Sequence, residues 1–391
     1  MQKLILILTV CSLPLWSMNY KQFKDHTLKH SPMLQSQKLE TGKTNVTNAI
    51  ELRAANPVMT LEGSRYDQSN GPTDYEYAVG VSQTVRTPWY MDGIKAKTKA
   101  STLLSQALQT RGRAGYIKTL ENLYTEYVFQ SRLLTLLEQE YTLSKRVTQM
   151  VKERYRNGSE NKVAYLQART QTLTLKTELY TVRQQRNSLY YQLLAAAGFE
   201  TKVSLEKRFI YSVSATTGQS SRLSPQQQIL KAKEKRYQSE LRMYESGFRR
   251  FDLYSSLERE PDQSVIRVGV NIPLSVNNDH SEERMLAKLQ MQQTALEQKQ
   301  LEISLKSRKA MLKSAIRELS AQYHALQSLQ KEQETLVALL EEGYRIAKGS
   351  LFELMTEKSR LIQTRKALLQ TQKMINTQKI ELHFLQGDYN D

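Results

Sequence analysis

Three unrelated local signals in this chain recur about 190 residues further on, so the sequence contains one structural unit twice. Ser31-Pro32 opens one helix-like segment and Ser224-Pro225 opens another. In each, the serine is placed to cap a helix, and the proline takes a first-turn position that needs no N–H. Val79-Gly80-Val81 recurs as Val268-Gly269-Val270. Tyr155-Arg156-Asn157-Gly158 recurs loosely as Tyr344-Arg345-Ile346-Ala347-Lys348-Gly349. The expected division is 1–17 as a signal peptide, 18–206 as a first repeat, 207–221 as a linker, 222–387 as a second repeat and 388–391 as a tail.

The order of elements is the same in both repeats. A helix comes first, from 31 to about 55 and from 224 to about 246. Two strands around a turn follow. In the second repeat they are 251–258 and 264–274, flanking Glu260-Pro261-Asp262; in the first, the turn is Ser69-Asn70-Gly71-Pro72. Ile266, Val268, Val270, Ile272 and Leu274 alternate with Val265, Arg267, Gly269 and Asn271, and Tyr77, Val79, Val81 and Val85 stand opposite Glu76, Ala78, Gly80 and Ser82. Strands that are apolar on one side and small or polar on the other fit a barrel with lipid outside and water inside, and also fit an ordinary half-buried hairpin. Trp89-Tyr90 follows the first hairpin, where an aromatic girdle is expected.

Proline is then absent from 93–156 and from 282–347, and apolar residues return at steps of three and four, as in Leu120, Leu123 and Tyr127 or Leu305, Leu312 and Ile316. Roughly 60 residues at 1.5 Å each give helices on the order of 90 Å long. Each is followed, after a glycine, by a returning helix, 161–197 and 351–385. Long antiparallel hairpins with coiled-coil stripes need neighbours to cover their second faces. Four strands cannot close a barrel alone, since small barrels take about eight. Both deficits predict an oligomer.

The N-terminus has the charge at Lys3 and the apolar run at 4–10 of a secretory signal, and the sole cysteine, Cys11, falls inside it. The mature chain is therefore expected to carry no thiol. No later stretch approaches the ~20 apolar residues of a spanning helix, so residence in a membrane requires a barrel. The net charge of +17 is dispersed among helix-face Lys and Arg mixed with Glu, and no nucleic-acid partner is expected. Of His26, His30, His280, His324 and His383, only the first two have helix spacing, and no cysteine or carboxylate set completes a zinc motif around them. Phosphate loops and Gly-x-Ser-x-Gly elbows are missing from the sequence. The chain is read as no enzyme, with no catalytic residue, cofactor or metal site.

The doubled order of strand hairpin, long helix, glycine and returning helix resembles outer-membrane efflux proteins of the TolC family, over nearly the whole mature chain. The local likeness lies in His30-Ser31-Pro32-Met33-Leu34, in Ala55-Asn56-Pro57-Val58, in Glu153-Arg154-Tyr155-Arg156-Asn157-Gly158 with Gln167-Ala168-Arg169, and in Val268-Gly269-Val270-Asn271-Ile272-Pro273-Leu274. Arg53-Ala54-Ala55-Asn56-Pro57, Leu61-Glu62, Gln83 before Pro88, and Leu351-Phe352-Glu353-Leu354 resemble the heavy-metal cation efflux branch.

The resemblance implies a mainly α fold with membrane β: long antiparallel helical hairpins forming an α-barrel, plus four strands per protomer in a trimeric twelve-stranded outer-membrane barrel. It implies an exit duct that passes metal cations or drugs from the periplasm outward. The implied partners are a homotrimer, outer-membrane lipid, a periplasmic adaptor (a membrane fusion protein) and an inner-membrane pump. A duct for type I protein secretion and a non-pore structural coiled-coil protein of the envelope are the alternatives. The tips, Arg156, Asn157, Gly158 and Ser159 with Lys348, Gly349 and Ser350, are expected to meet the adaptor. Glu353, with Glu357 one turn on, is expected either to ring the periplasmic gate or, with Ser350, to form a capping box.

Overall fold

The computed structural model describes residues 17–67, 73–214, 222–245, 247–274, 279–346 and 349–390. The expected signal peptide with Cys11, the turn at 69–72, most of the linker's Ser/Thr/Gly stretch, and Lys348 lie outside the described residues.

The chain runs α1 (Tyr20–His30), α2 (Pro32–Leu52), β1 (Val58–Tyr66), β2 (Asp74–Arg86), α3 (Pro88–Arg156) and α4 (Lys162–Ala197). It continues as α5 (Pro225–Glu245), β3 (Arg250–Arg259), β4 (Ser264–Asn271), α6 (Ser281–Arg345) and α7 (Leu351–Gln386). The order helix, hairpin, long helix, returning helix thus occurs twice, α2 to α4 and α5 to α7. The sequence does not anticipate α1 as a separate helix. Asn19 starts it by accepting the Gln22 N–H while the Gln22 side chain accepts from Asn19 N–H, a capping box.

Helix starts differ from expectation in instructive ways. Pro32 and Pro225 do sit in first turns, but Ser31 makes no side-chain cap bond, whereas Ser224 Oγ accepts the Gln227 N–H at 3.3 Å. The long helices begin earlier than the proline-free runs indicated, because Pro88 serves as the first residue of α3 and His280, in left-handed backbone at φ 60°, precedes α6. At 69 and 65 residues, α3 and α6 are each about 100 Å long.

α3 is the central member. It packs against α2 and α5 in the half nearer the sheet and against α4 and α7 in the other half, while α6 packs mainly against α5 and α7 and reaches α3 through Tyr344 at the far end. One layer of helices results, with α2 and α4 at one edge and α6 at the other, curled so that Lys366 of α7 pairs with Glu178 of α4 at 2.6 Å. Midway along it lies an aromatic core of Phe23, Leu120, Tyr124, Tyr127, Leu193 and Phe209. Further down, Leu134 and Leu137 of α3 meet Leu175, Leu179 and Val182 of α4. At the far end Val147 and Val151 meet Ala168, Tyr344, Leu354 and Leu361.

The strands form one antiparallel sheet in the order β1-β2-β3-β4. The two halves join through β2 and β3, from Tyr77 opposite Arg259 to Arg86 opposite Arg250. β4 stops at Asn271, short of the expected 274, since Pro273 has no N–H for the ladder.

Candidate functional site

The sheet has two chemically distinct faces. Register and alternation put Met59, Leu61, Tyr75, Tyr77, Val79, Val81, Leu253, Leu257, Ile266, Val268 and Val270 on one face, each 44–79 % exposed. An uncovered apolar face of this extent does not survive in water. The other face carries Thr60, Glu62, Glu76, Gly80, Ser82, Asp252, Ser256, Glu258 and Arg267. Glu258 takes an ion pair from Arg267 at 2.8 Å, and ligand-type oxygens of Glu76, Glu258 and Glu260 all lie within 4.8 Å of one another. Gly269 leaves room for the Tyr254 ring, which occupies the space a Cβ would need. Both outer strands, β1 and β4, have an unpaired edge.

Where the strands leave the sheet, Trp89 begins α3 and donates its indole N–H to the Phe248 carbonyl at 2.5 Å. Phe248 stacks on Phe251 at 5.9 Å, and the Arg249 guanidinium lies 5.6 Å from the Tyr90 ring centre. The expected Trp-Tyr pair is therefore part of a larger aromatic and arginine cluster at the helix-facing end of the sheet.

At the opposite end the two hairpin tips meet. Tyr344 is buried, donates its hydroxyl to Glu160 at 3.1 Å, and lies under the Arg154 guanidinium, which also donates to the Tyr344 carbonyl at 2.8 Å. Burial and the bond to Glu160 raise the Tyr344 pKa. Arg156, Asn157, Gly158 and Ser159 are all exposed beyond this contact, as is Ser350. Gly158 has φ +73°, a left-handed turn, with Ser159 N–H returning to the Arg154 carbonyl at 2.8 Å. Asn161 then caps α4 by accepting the Ala164 N–H at 2.8 Å. Gly349 works differently: a Cβ there would stand 2.8 Å from Tyr344 N and 2.9 Å from Gly343 C. It is glycine because backbone approaches backbone.

Glu353 is exposed beside the exposed Phe352, on the side of α7 away from the buried Leu351 and Leu354. The expected capping box does not form, for Ser350 makes no side-chain cap bond. Glu357 is half-buried and pairs with Arg360 at 2.5 Å. The His26 and His30 rings stack at 4.2 Å, and His26 stacks on Phe199 at 4.0 Å. Burial, with His30 as a smaller cause, lowers the His26 pKa.

Sequence reasoning missed one cluster altogether. Glu121 of α3 is 1 % exposed and accepts from Tyr20 at 2.8 Å, from Tyr211 at 3.1 Å and from the hydroxyl of Tyr389, with Lys24 at 3.5 Å. It gathers the start of the chain, the linker and the end of the chain on one face of the helical layer. Beside it Asn376 bonds both the N–H and the carbonyl of Tyr211, and Lys379 donates to the Ser212 carbonyl at 2.8 Å. The residues 388–390, expected as a tail, contribute the buried Tyr389 to this cluster. No local pattern distinguishes Glu121 from the surface glutamates of α3, since its partners lie 90 to 268 residues away in sequence.

No protein-family model matches the chain, and no curated protein matches it in sequence. Solved structures do match its fold. The chain is similar to CusC, described for the conformational changes that accompany folding and transmembrane channel formation, at 15% identity and TM-score 0.78, covering 94% of this chain and 91% of that one. It is similar to the outer-membrane protein VceC of Vibrio cholerae at 12% identity and TM-score 0.77, covering 94% and 95%. It is similar to the MtrE outer-membrane channel of Neisseria gonorrhoeae at 16% identity and TM-score 0.75, covering 94% and 88%. The fold is that of TolC-like outer-membrane channel protomers, mainly helical with a four-stranded antiparallel sheet.

Proposed function

We propose that this chain is one protomer of a trimeric exit duct in the outer membrane, carrying solutes from the periplasm outward as the last component of a tripartite pump. The observation that carries this reading is the open four-stranded sheet: apolar on one face, carboxylate-bearing on the other, and unpaired at both edges. Three such sheets joined β4 to β1 close a twelve-stranded barrel with lipid outside and water inside. A structural coiled-coil protein has no use for such a sheet. The repeated element order likewise supports dividing the chain into repeats 18–206 and 222–387 about a linker, 207–221. Within the barrel, Glu62, Asp74, Glu76, Asp252 and Glu258 outnumber Arg86, Arg250 and Arg267, which favours cations over anions as cargo. Membrane fractionation and crosslinking in mild detergent test the assembly. The expected result is a band that salt does not release and that crosslinks to a trimer; release by salt, or crosslinking that ends at monomer or dimer, overturns the reading.

The exposed tips at 156–159 and at Ser350 support a docking role for the periplasmic adaptor, which would link the duct to an inner-membrane pump. Ser159→Trp and Ser350→Trp leave both glycines in position. Each is expected to abolish export with the trimer intact; normal export in both would reduce the tips to turns.

The exposed carboxylate of Glu353 supports a three-fold acidic ring at the periplasmic mouth, backed by Glu357. Glu353→Gln should lower cation selectivity and block by trivalent ions in planar-bilayer recordings, and Glu353→Gln/Glu357→Gln should lower both further. Unchanged currents in both variants would remove the gate from the proposal.

A further inference from the structure

α6 has four lengthwise faces of different chemistry. Leu305 and Leu312 are buried on the side of α5 and α7. On the opposite side Leu296 and Ile303 remain exposed, the stripe that a second copy covers in a closed trimer. Between these faces, on one flank, Lys306, Lys309, Lys313 and Arg317 follow one another at steps of three and four residues, in one line along the helix. The other flank carries Ser304, Ala315, Gln322 and Gln333, with Glu297 offset by Arg308.

None of the four cations makes an ion pair among the described residues. The acid that acts on Lys309 is Asp388, whose carboxylate is bonded to His383 at 2.6 Å. Partial burial and the neighbouring Lys313 lower the Lys309 pKa. Like charges crowded together, in excess over the acids beside them (Glu302 one turn before Lys306, and Asp388), attract an external polyanion.

The basic flank belongs to the outer surface of a closed ring. The linker and the chain ends cover one face of the helical layer, and Tyr323, His324 and Gln327 of α6 line the same cavity as Phe209, Tyr211 and Ser214 of the linker. A lumen has to stay clear, so the face bearing the linker is the outside. His324 continues the basic line two turns beyond Arg317. Lys306 lies about 38 Å along α6 from its sheet end, out of reach of membrane headgroups.

We propose that this flank binds the carboxylate-bearing peptides of the cell wall, the polyanion that surrounds a duct crossing the periplasm. The inference rests on the duct reading above. A repeating polymer of free carboxylates matches a line of solvent-facing cations, whereas a small anion would need enclosed donors.

The test is co-sedimentation of the full-length protein, in mild detergent at low salt, with purified cell-wall sacculi. The wild type is expected to sediment with them, and high salt should release it. Lys306→Gln/Lys309→Gln/Lys313→Gln/Arg317→Gln should lose at least about tenfold in retention, as should the wild type on sacculi whose carboxylates are amidated. Lys306→Gln/Arg317→Gln, at two exposed positions, keeps the packing untouched and should lose part of the binding. Undiminished retention in the fourfold variant, equal binding to amidated sacculi, or no binding by the wild type (the outcome for an acidic protein partner) overturns the proposal. Crosslinking on the same preparations separates the two readings: a trimer that ignores sacculi sinks this inference alone, and a missing trimer sinks the duct as well.

Discussion

Glu121→Ala should destabilise the helical layer by about 3–5 kcal/mol, the magnitude expected when one partner of a buried charged network is removed. The substitution leaves the hydroxyls of Tyr20, Tyr211 and Tyr389 without their acceptor, and each buried orphan costs about 1–3 kcal/mol. It also detaches the chain start, the linker and the chain end from α3 together. Thermal unfolding followed by circular dichroism in detergent measures the loss, and a change below about 1 kcal/mol would refute the role assigned to this carboxylate. Glu121→Gln keeps one acceptor oxygen and should fall between the two.

The same cluster fixes a pH response. Burial, and after it the Glu121 charge, raises the phenol pKa values of Tyr20, Tyr211 and Tyr389 above the ordinary 10.0; for Tyr124 burial again comes first. A raised folded-state pKa means that the stability from these neutral phenols is complete below pH 10 and disappears only as pH climbs through the shifted values. Ultraviolet titration should find at least these four of the 21 tyrosines ionising only as the protein unfolds in strong alkali.

Val268→Arg should prevent stable insertion. Val268 is 79 % exposed on the apolar face, near the middle of β4, and an arginine facing lipid at mid-depth costs about 2–4 kcal/mol in each protomer. The trimer carries the cost three times. Arg267→Val, one residue away on the carboxylate face, should insert normally and lose only its pairs with Glu258 and Glu260. Heat-modifiable migration of the two variants reads the difference; equal insertion would mean that the apolar face does not meet lipid.

The elements with strong periodicity were legible in the sequence. The alternation from Tyr77 to Val85 and from Val265 to Leu274 found the two faces of the sheet, and the spacing of Leu120, Leu123 and Tyr127 found α3. What escaped was whatever depended on distant partners. The Ser350-to-Glu353 spacing suited a capping box, yet the serine side chain makes no cap bond. Gly158 and Gly349 looked alike as turn residues, but the first is fixed by its left-handed backbone and the second by being pressed against Gly343 and Tyr344 from the preceding helix. Glu121 was hidden because one carboxylate on a long charged helix resembles any other until residues from both chain ends arrive beside it.

The two free strand edges have a consequence in time. A lone protomer exposes its apolar sheet face and offers β1 and β4 to any extended chain it meets. In the proposed trimer, correct joining needs two further copies, so its rate rises steeply with local concentration, while mispairing needs only one wrong neighbour. Biogenesis is then a race won by delivery: copies must reach the membrane in quick succession, or travel with their sheets shielded by an escort. The half-built protein, rather than the finished duct, is the stage most exposed to proteases and aggregation.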